Sequence, residues 1–63
     1  MKLTYLDVLR NDLLRSVAMY RKEQEACKGT DAEQVIKIHA DARACVLELV
    51  NTLRQEEIEE GNP

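Results

Sequence analysis

Proline occurs only at position 63 and glycine only at 29 and 61, so this 63-residue chain has one interior point where the backbone is invited to turn. Nothing breaks the chain between residues 4 and 28 or between 31 and 60. Two long helices follow, helix 1 over about 4–28 and helix 2 over about 31–59, joined by a turn at 29–30, with 61–63 as a disordered tail. A turn this short makes the helices antiparallel neighbours, so the expected single domain is an all-α helical hairpin.

Local signals agree with that division. Thr4 with Asp7 reads as a shortened capping box, with Leu3 and Val8 at the positions of a hydrophobic staple. Lys28-Gly29 reads as a basic last turn followed by a left-handed glycine cap, and Thr30-Asp31-Ala32-Glu33 as a full capping box opening helix 2.

At 100° per residue, Leu6, Leu9, Leu13, Val17, Tyr20 and Cys27 gather on one side of helix 1, with Leu3 and Leu14 at the border. The same count on helix 2 gathers Val35, Ile38, Ala42, Cys45, Val46, Leu49 and Leu53. Spacings such as 6, 9, 13 and 35, 38, 42, 45, 49 alternate threes and fours, the spacing of helices packed near 20° in bundles. They are taken as the seam between the helices. Helix 2 carries a further flank of Ile36, Ala40, Leu47 and Val50, so its apolar arc is wider than one neighbour covers.

Composition makes the surplus matter. There is no Phe or Trp, Tyr5 and Tyr20 are the only aromatics, and the core must be built from small aliphatic residues and cysteine. Ordering a residue costs roughly 1.5 kcal/mol, which so short a chain seldom recovers from its own burial. A second copy is the expected remedy, giving a homodimeric four-helix bundle with Leu6, Leu9, Leu13, Val17, Tyr20, Val35, Ile38, Ala42, Cys45, Leu49 and Leu53 in its core. Outer apolar positions at Val8, Met19, Ile36, Leu47 and Ile58 leave room for a higher oligomer or another protein.

No constellation for catalysis is present. His39 is the only histidine and lies at the border of the helix-2 seam, with no base and nucleophile placed around it. Cys27 and Cys45 have seventeen residues between them and no paired-cysteine motif, so they read as reduced, buried thiols, and neither a metal nor a cofactor is expected. Asp7, Arg10 and Asn11 interrupt any signal-like apolar stretch, and no run approaches the ~20 residues of a membrane span. The expected setting is the cytoplasm, without a membrane partner.

Charge is divided between the halves: residues 1–29 carry net +2 and residues 30–63 net −5. Glu56, Glu57, Glu59 and Glu60 stand where the helix dipole prefers cations, so the last turn should fray. On helix 1, Arg10, Arg15, Arg21 and Lys22, with exposed Met19 beside them, form a possible surface for a partner protein or RNA. Asp12, Glu23 and Glu25 are interspersed among these bases, as on a charge-mixed solvated face. A DNA-reading helix-turn-helix fits poorly, because the would-be recognition helix opens with Asp31 and Glu33 and ends in glutamates.

Two resemblances add to this reading. A turn near residue 30, Asp31-Ala32-Glu33-Gln34 opening helix 2, Ile38-His39-Ala40-Asp41 after it and a Glu60-Gly61-Asn62 tail resemble the plasmid RNA one modulator family, the Rop proteins. That resemblance implies a dimeric bundle binding paired RNA loops through helix 1, although Leu13 or Leu14 stands where the family carries an aromatic. The chain length and the run Tyr5-Leu6-Asp7-Val8-Leu9-Arg10-Asn11-Asp12-Leu13-Leu14 resemble the small protein of lambdoid bacteriophages encoded between their exonuclease and excisionase genes. This implies an accessory early phage protein that influences the choice between lysis and lysogeny in the bacterial cytoplasm. The expected function is therefore a non-enzymatic regulator that binds itself and a host or phage protein, with a Rop-like RNA modulator as the alternative.

Overall fold

The computed structural model describes residues 2–61. It consists of two helices, α1 (Leu3–Ala26) and α2 (Asp31–Glu60), lying antiparallel along their length, with no strand among the described residues. The chain is therefore all-α, a helical hairpin. The expected disordered tail falls at Asn62 and Pro63 outside the described residues; Gly61 caps α2 by donating its N–H to Glu57 O at 2.9 Å. α2 is helical through Glu60, so the glutamate-rich last turn is formed.

The start of α1 differs from expectation. Lys2 is the N-cap in extended conformation without a side-chain cap, and its carbonyl accepts from Tyr5 N and Leu6 N at 3.1 and 3.2 Å. Thr4 thus lies inside the first turn, and Leu3 and Val8 are no staple pair: they are 38% and 56% exposed. Asp7, one turn too far in to cap, instead accepts from Arg54 Nε of α2 at 2.6 Å and ties the open end of the hairpin together.

The turn is longer than expected: α1 ends at Ala26 with Cys27 as its C-cap, so Lys28 lies in the turn and no base stands in the last turn of α1. Gly29 has φ +86°, the left-handed conformation that side chains resist, and Thr30 is the N-cap residue of α2. The full capping box does not form: the Thr30 side chain makes no cap hydrogen bond, and only the acid arm is present, one residue early. Glu33 Oε2 accepts from the backbone N–H of Gly29 at 2.7 Å, and Thr30 Oγ1 donates back to Cys27 O at 2.6 Å.

The seam differs on α2. Leu6 and, on the opposing helix, Ala40 and Val50 are the buried core residues, with Leu13, Val17, Tyr20, Ile36, Leu47 and Leu53 half-buried. The residues read as the outer flank of helix 2 are therefore the ones that face α1. Val35, Ile38 and Leu49, read as seam, are 57%, 66% and 59% exposed, and Ala42, Cys45 and Val46 are exposed too. On α1, Leu6, Leu13, Val17, Tyr20 and Cys27 do face inward, whereas Leu9 is 42% exposed at the edge.

Polar residues within the true seam explain the exchange. Arg10, Gln24, Arg43 and Arg54 are all half-buried along the contact line, where their aliphatic stems cover apolar surface and their polar heads reach the rim. A hydropathy count rejects a stripe that contains arginines. The structure uses them as bridges: Arg54 to Asp7, and Arg43 to Tyr20.

Candidate interaction surface

Outward from this thin core, α2 presents a second apolar stripe made of Val35, Ile38, Ala42, Val46, Leu49 and the half-buried Leu53. At 100° per residue its centre lies roughly 120° around the helix from the line that faces α1. The stripe is open to solvent along five turns of helix. The other side of the hairpin is different in kind: there Lys37, Asp41, Glu48, Asn51 and Gln55 are exposed, and Arg21 of α1 pairs with Asp41 across the helices at 3.0 Å. One side is apolar and the other charged, so the hairpin is amphipathic as a whole and not only helix by helix.

The surface area shows the same imbalance. A compact 7.2 kDa monomer exposes about 4,100 Å², whereas this hairpin exposes 4895 Å². Its Cα radius of gyration is 14.7 Å where a compact chain of this length has about 10.6 Å. The rod, 52 × 14 × 12 Å, is too slender to hide its own apolar residues.

On the same side as the stripe, Tyr20, His39 and Arg43 form a cluster across the helices. The Tyr20 and His39 rings stack at 5.5 Å with 17° between planes, and the Arg43 guanidinium carbon lies 4.4 Å from the Tyr20 ring centroid. Arg43 Nη1 is 3.2 Å from both His39 Nδ1 and His39 O. Guanidinium can only donate, so Nδ1 is the accepting atom in this contact. His39 thus has a stacking and accepting role at the edge of the stripe, which sequence reading left unassigned. The signal was the i, i+4 spacing of His39 and Arg43; the pairing with Tyr20 required the hairpin register.

Beside this cluster, Ser16, Met19, Tyr20 and Glu23 line a surface hollow on α1. Their i, i+3, i+4, i+7 spacing is that of the four residues into which a neighbouring helix inserts one side chain.

The basic residues singled out on α1 are not gathered into one patch. Arg10 is half-buried in the seam, Arg15 pairs with Asp12 at 2.6 Å, and Arg21 pairs with Asp41 and donates to Gln24 Oε1 at 3.3 Å. Lys28 stands 4.0 Å from Glu25, while Lys22 and Met19 are exposed, Met19 by 63%. Tyr5 and Val8, 67% and 56% exposed, continue the row with Met19 along the edge of α1. Leu47 and Ile58, expected to join such a surface, are half-buried and lie on the α1-facing side of α2.

Both cysteines are free thiols, Cys27 half-buried at the end of α1 and Cys45 exposed beside the stripe. Among the described residues no group of His, Cys, Asp or Glu has the arrangement of a metal site, and no helix is long and apolar enough to cross a membrane. Comparison with known protein families, with curated proteins and with solved structures finds no match.

Proposed function

We propose that this chain is a non-enzymatic regulatory protein that works as a homodimeric four-helix bundle and acts by binding another protein along α1. The observation that carries the reading is the division of the hairpin into an open apolar side and a charged one. A second hairpin laid along α2 covers Val35, Ile38, Val46 and Leu49, and in that placement the edge of α1 with Tyr5, Val8, Asp12, Arg15 and Met19 is left for a partner. The resemblance of the stretch from Tyr5 to Leu14 to the small lambdoid phage protein supplies the setting: an accessory factor that influences lytic against lysogenic development, with a host or phage protein as its target.

A protein partner is favoured over RNA by the ion pairs on α1. Arg15 and Arg21 are each held by a carboxylate, so phosphate must displace Asp12 and Asp41 before it gains either contact.

The test compares wild type with Val8→Asp and Met19→Asp as bait in bacterial lysate, while light scattering follows the mass of each variant. A protein retained by wild type and lost from both variants, with the dimer mass unchanged, supports the reading. Nothing retained above background, or equal retention by all three, overturns it. Stem-loop RNA titrated at low salt gives the competing outcome: tight, steeply salt-dependent binding that disappears in Arg10→Ala, Arg15→Ala and Arg21→Ala moves the function to a Rop-like RNA modulator.

A further inference from the structure

The geometry points to a specific dimer, in which α2 lies antiparallel against α2 of a second copy about a two-fold axis that crosses the helix between Ala42 and Val46. This inference rests on the homodimer reading and adds which helix makes the interface, in which direction and at which register.

Three observations carry it. The first is the area: the hairpin exposes roughly 800 Å² more than a compact monomer of its mass, about what each partner buries in a standard-size interface.

The second is self-complementarity. A two-fold interface brings a surface against itself, so an apolar stripe must stay over itself when its direction is reversed. The exposed stripe of α2 begins at Val35 and ends at Leu53, and its midpoint is residue 44. Reversed about that midpoint, Leu53 meets Val35 of the other copy, Val46 meets Ala42, and Leu49 meets His39, one residue from Ile38. Two of these pairs are apolar, and the third sets Leu49 against the His39 ring at the edge of the stripe. The bulkier residues stand toward the ends, and small Ala42 and Cys45 stand at the centre, where antiparallel helices come closest.

The third is what the rival arrangement juxtaposes. If α2 packed against α1 of the second copy in the register of the hairpin itself, which sets Arg21 beside Asp41 and Asp7 beside Arg54, Leu49 and Val46 would fall opposite Asp12 and Arg15. Those two are 60% and 75% exposed and already paired with each other. Burying that ion pair under leucine and valine removes its solvation without a new partner. Pairing α2 with α2 leaves it in water.

This arrangement places the two Cys45 thiols on the same edge of the helix pair, one residue from the axis in each copy. With helix axes about 8–10 Å apart, they lie within the span of a short bismaleimide. The two Cys27 thiols, at the turn, fall at opposite ends of the dimer.

Wild type, Cys27→Ser and Cys45→Ser are treated with a short bismaleimide at micromolar concentration, and each mass is read in parallel by light scattering. A covalent dimer in wild type and Cys27→Ser, absent in Cys45→Ser and mapped to a Cys45–Cys45 peptide, supports the arrangement. A dimer by light scattering that fails to crosslink through Cys45, or crosslinks through Cys27, overturns the α2–α2 interface and leaves the homodimer standing. A monomer mass for wild type overturns both.

Discussion

Along α2, Ile36, Ala40, Leu47 and Val50 face α1, while Val35, Ile38, Ala42, Val46 and Leu49, spaced by the same threes and fours, face away from it. The two stripes do not differ in apolar content; what separates them is their neighbours. Arg43 and Arg54 continue the inner stripe and reach Tyr20 and Asp7 on α1, whereas the outer stripe has no long polar residue able to bridge to the other helix. In a hairpin this slender, polar side chains at the rim decide which apolar face is satisfied within the chain and which is left for another molecule.

The sharpest way to break that comparison is at the inner side. Leu6 is 0% exposed, and its truncation to Ala leaves a void between two helices that have little else to collapse into it. A loss of ~2–5 kcal/mol is expected in thermal or denaturant unfolding. A loss below about 1 kcal/mol would mean that the contact between α1 and α2 is not where the stability resides.

Next in size is the outer side. Leu49 is 59% exposed in the single hairpin, so within one copy Leu49→Ala should cost almost nothing. Covered by a second copy, it should cost ~2–4 kcal/mol, and the wild-type melting temperature should rise with protein concentration as dimerisation stabilises the folded state. A melting temperature independent of concentration, with Leu49→Ala melting like wild type, would show that the outer stripe is not buried in solution.

Much of this architecture was legible in the residue order. The placement of Gly29, the lack of other interior breakers and the acid at position 33 give two helices and their turn, and the structure has them at Leu3–Ala26 and Asp31–Glu60. The inward side of α1 was legible too, because only one of its faces is continuously apolar. α2 was misread because its two stripes are equivalent by periodicity, and the choice between them depends on contacts from Arg43 and Arg54 to residues 23 and 47 positions away. The same holds for Asp7, whose proximity to Thr4 suggested a cap and whose actual partner lies on the other helix.

The turn is the other link between the helices, and its left-handed residue is Gly29 at φ +86°. An added Cβ at Gly29 meets nothing within 4 Å, so Gly29→Ala isolates the backbone term from any clash. At φ +86° the cost should be ~1–2 kcal/mol, read as a drop in stability that is the same at every protein concentration. A change in the concentration dependence itself would instead show that the turn also tunes the presentation of the outer stripe.

The smallest effects separate the two kinds of ion pair. Asp7–Arg54 and Asp12–Arg15 both have 2.6 Å contacts, but the first joins the helices with side chains 49% and 37% exposed, and the second lies along α1 with side chains 60% and 75% exposed. Sequence separation matters as much as exposure, because the first pair is made only in the folded hairpin, whereas the second survives in any helical fragment of α1. A double-mutant cycle on Asp7 and Arg54 should return a coupling of ~0.5–1 kcal/mol that shrinks with added salt, while Arg15→Ala should move stability by less than about 0.5 kcal/mol. Equal couplings for the two pairs would mean that the open end of the hairpin is held by the apolar contacts of Leu6 alone, and that Arg54 lies along the seam without fastening it.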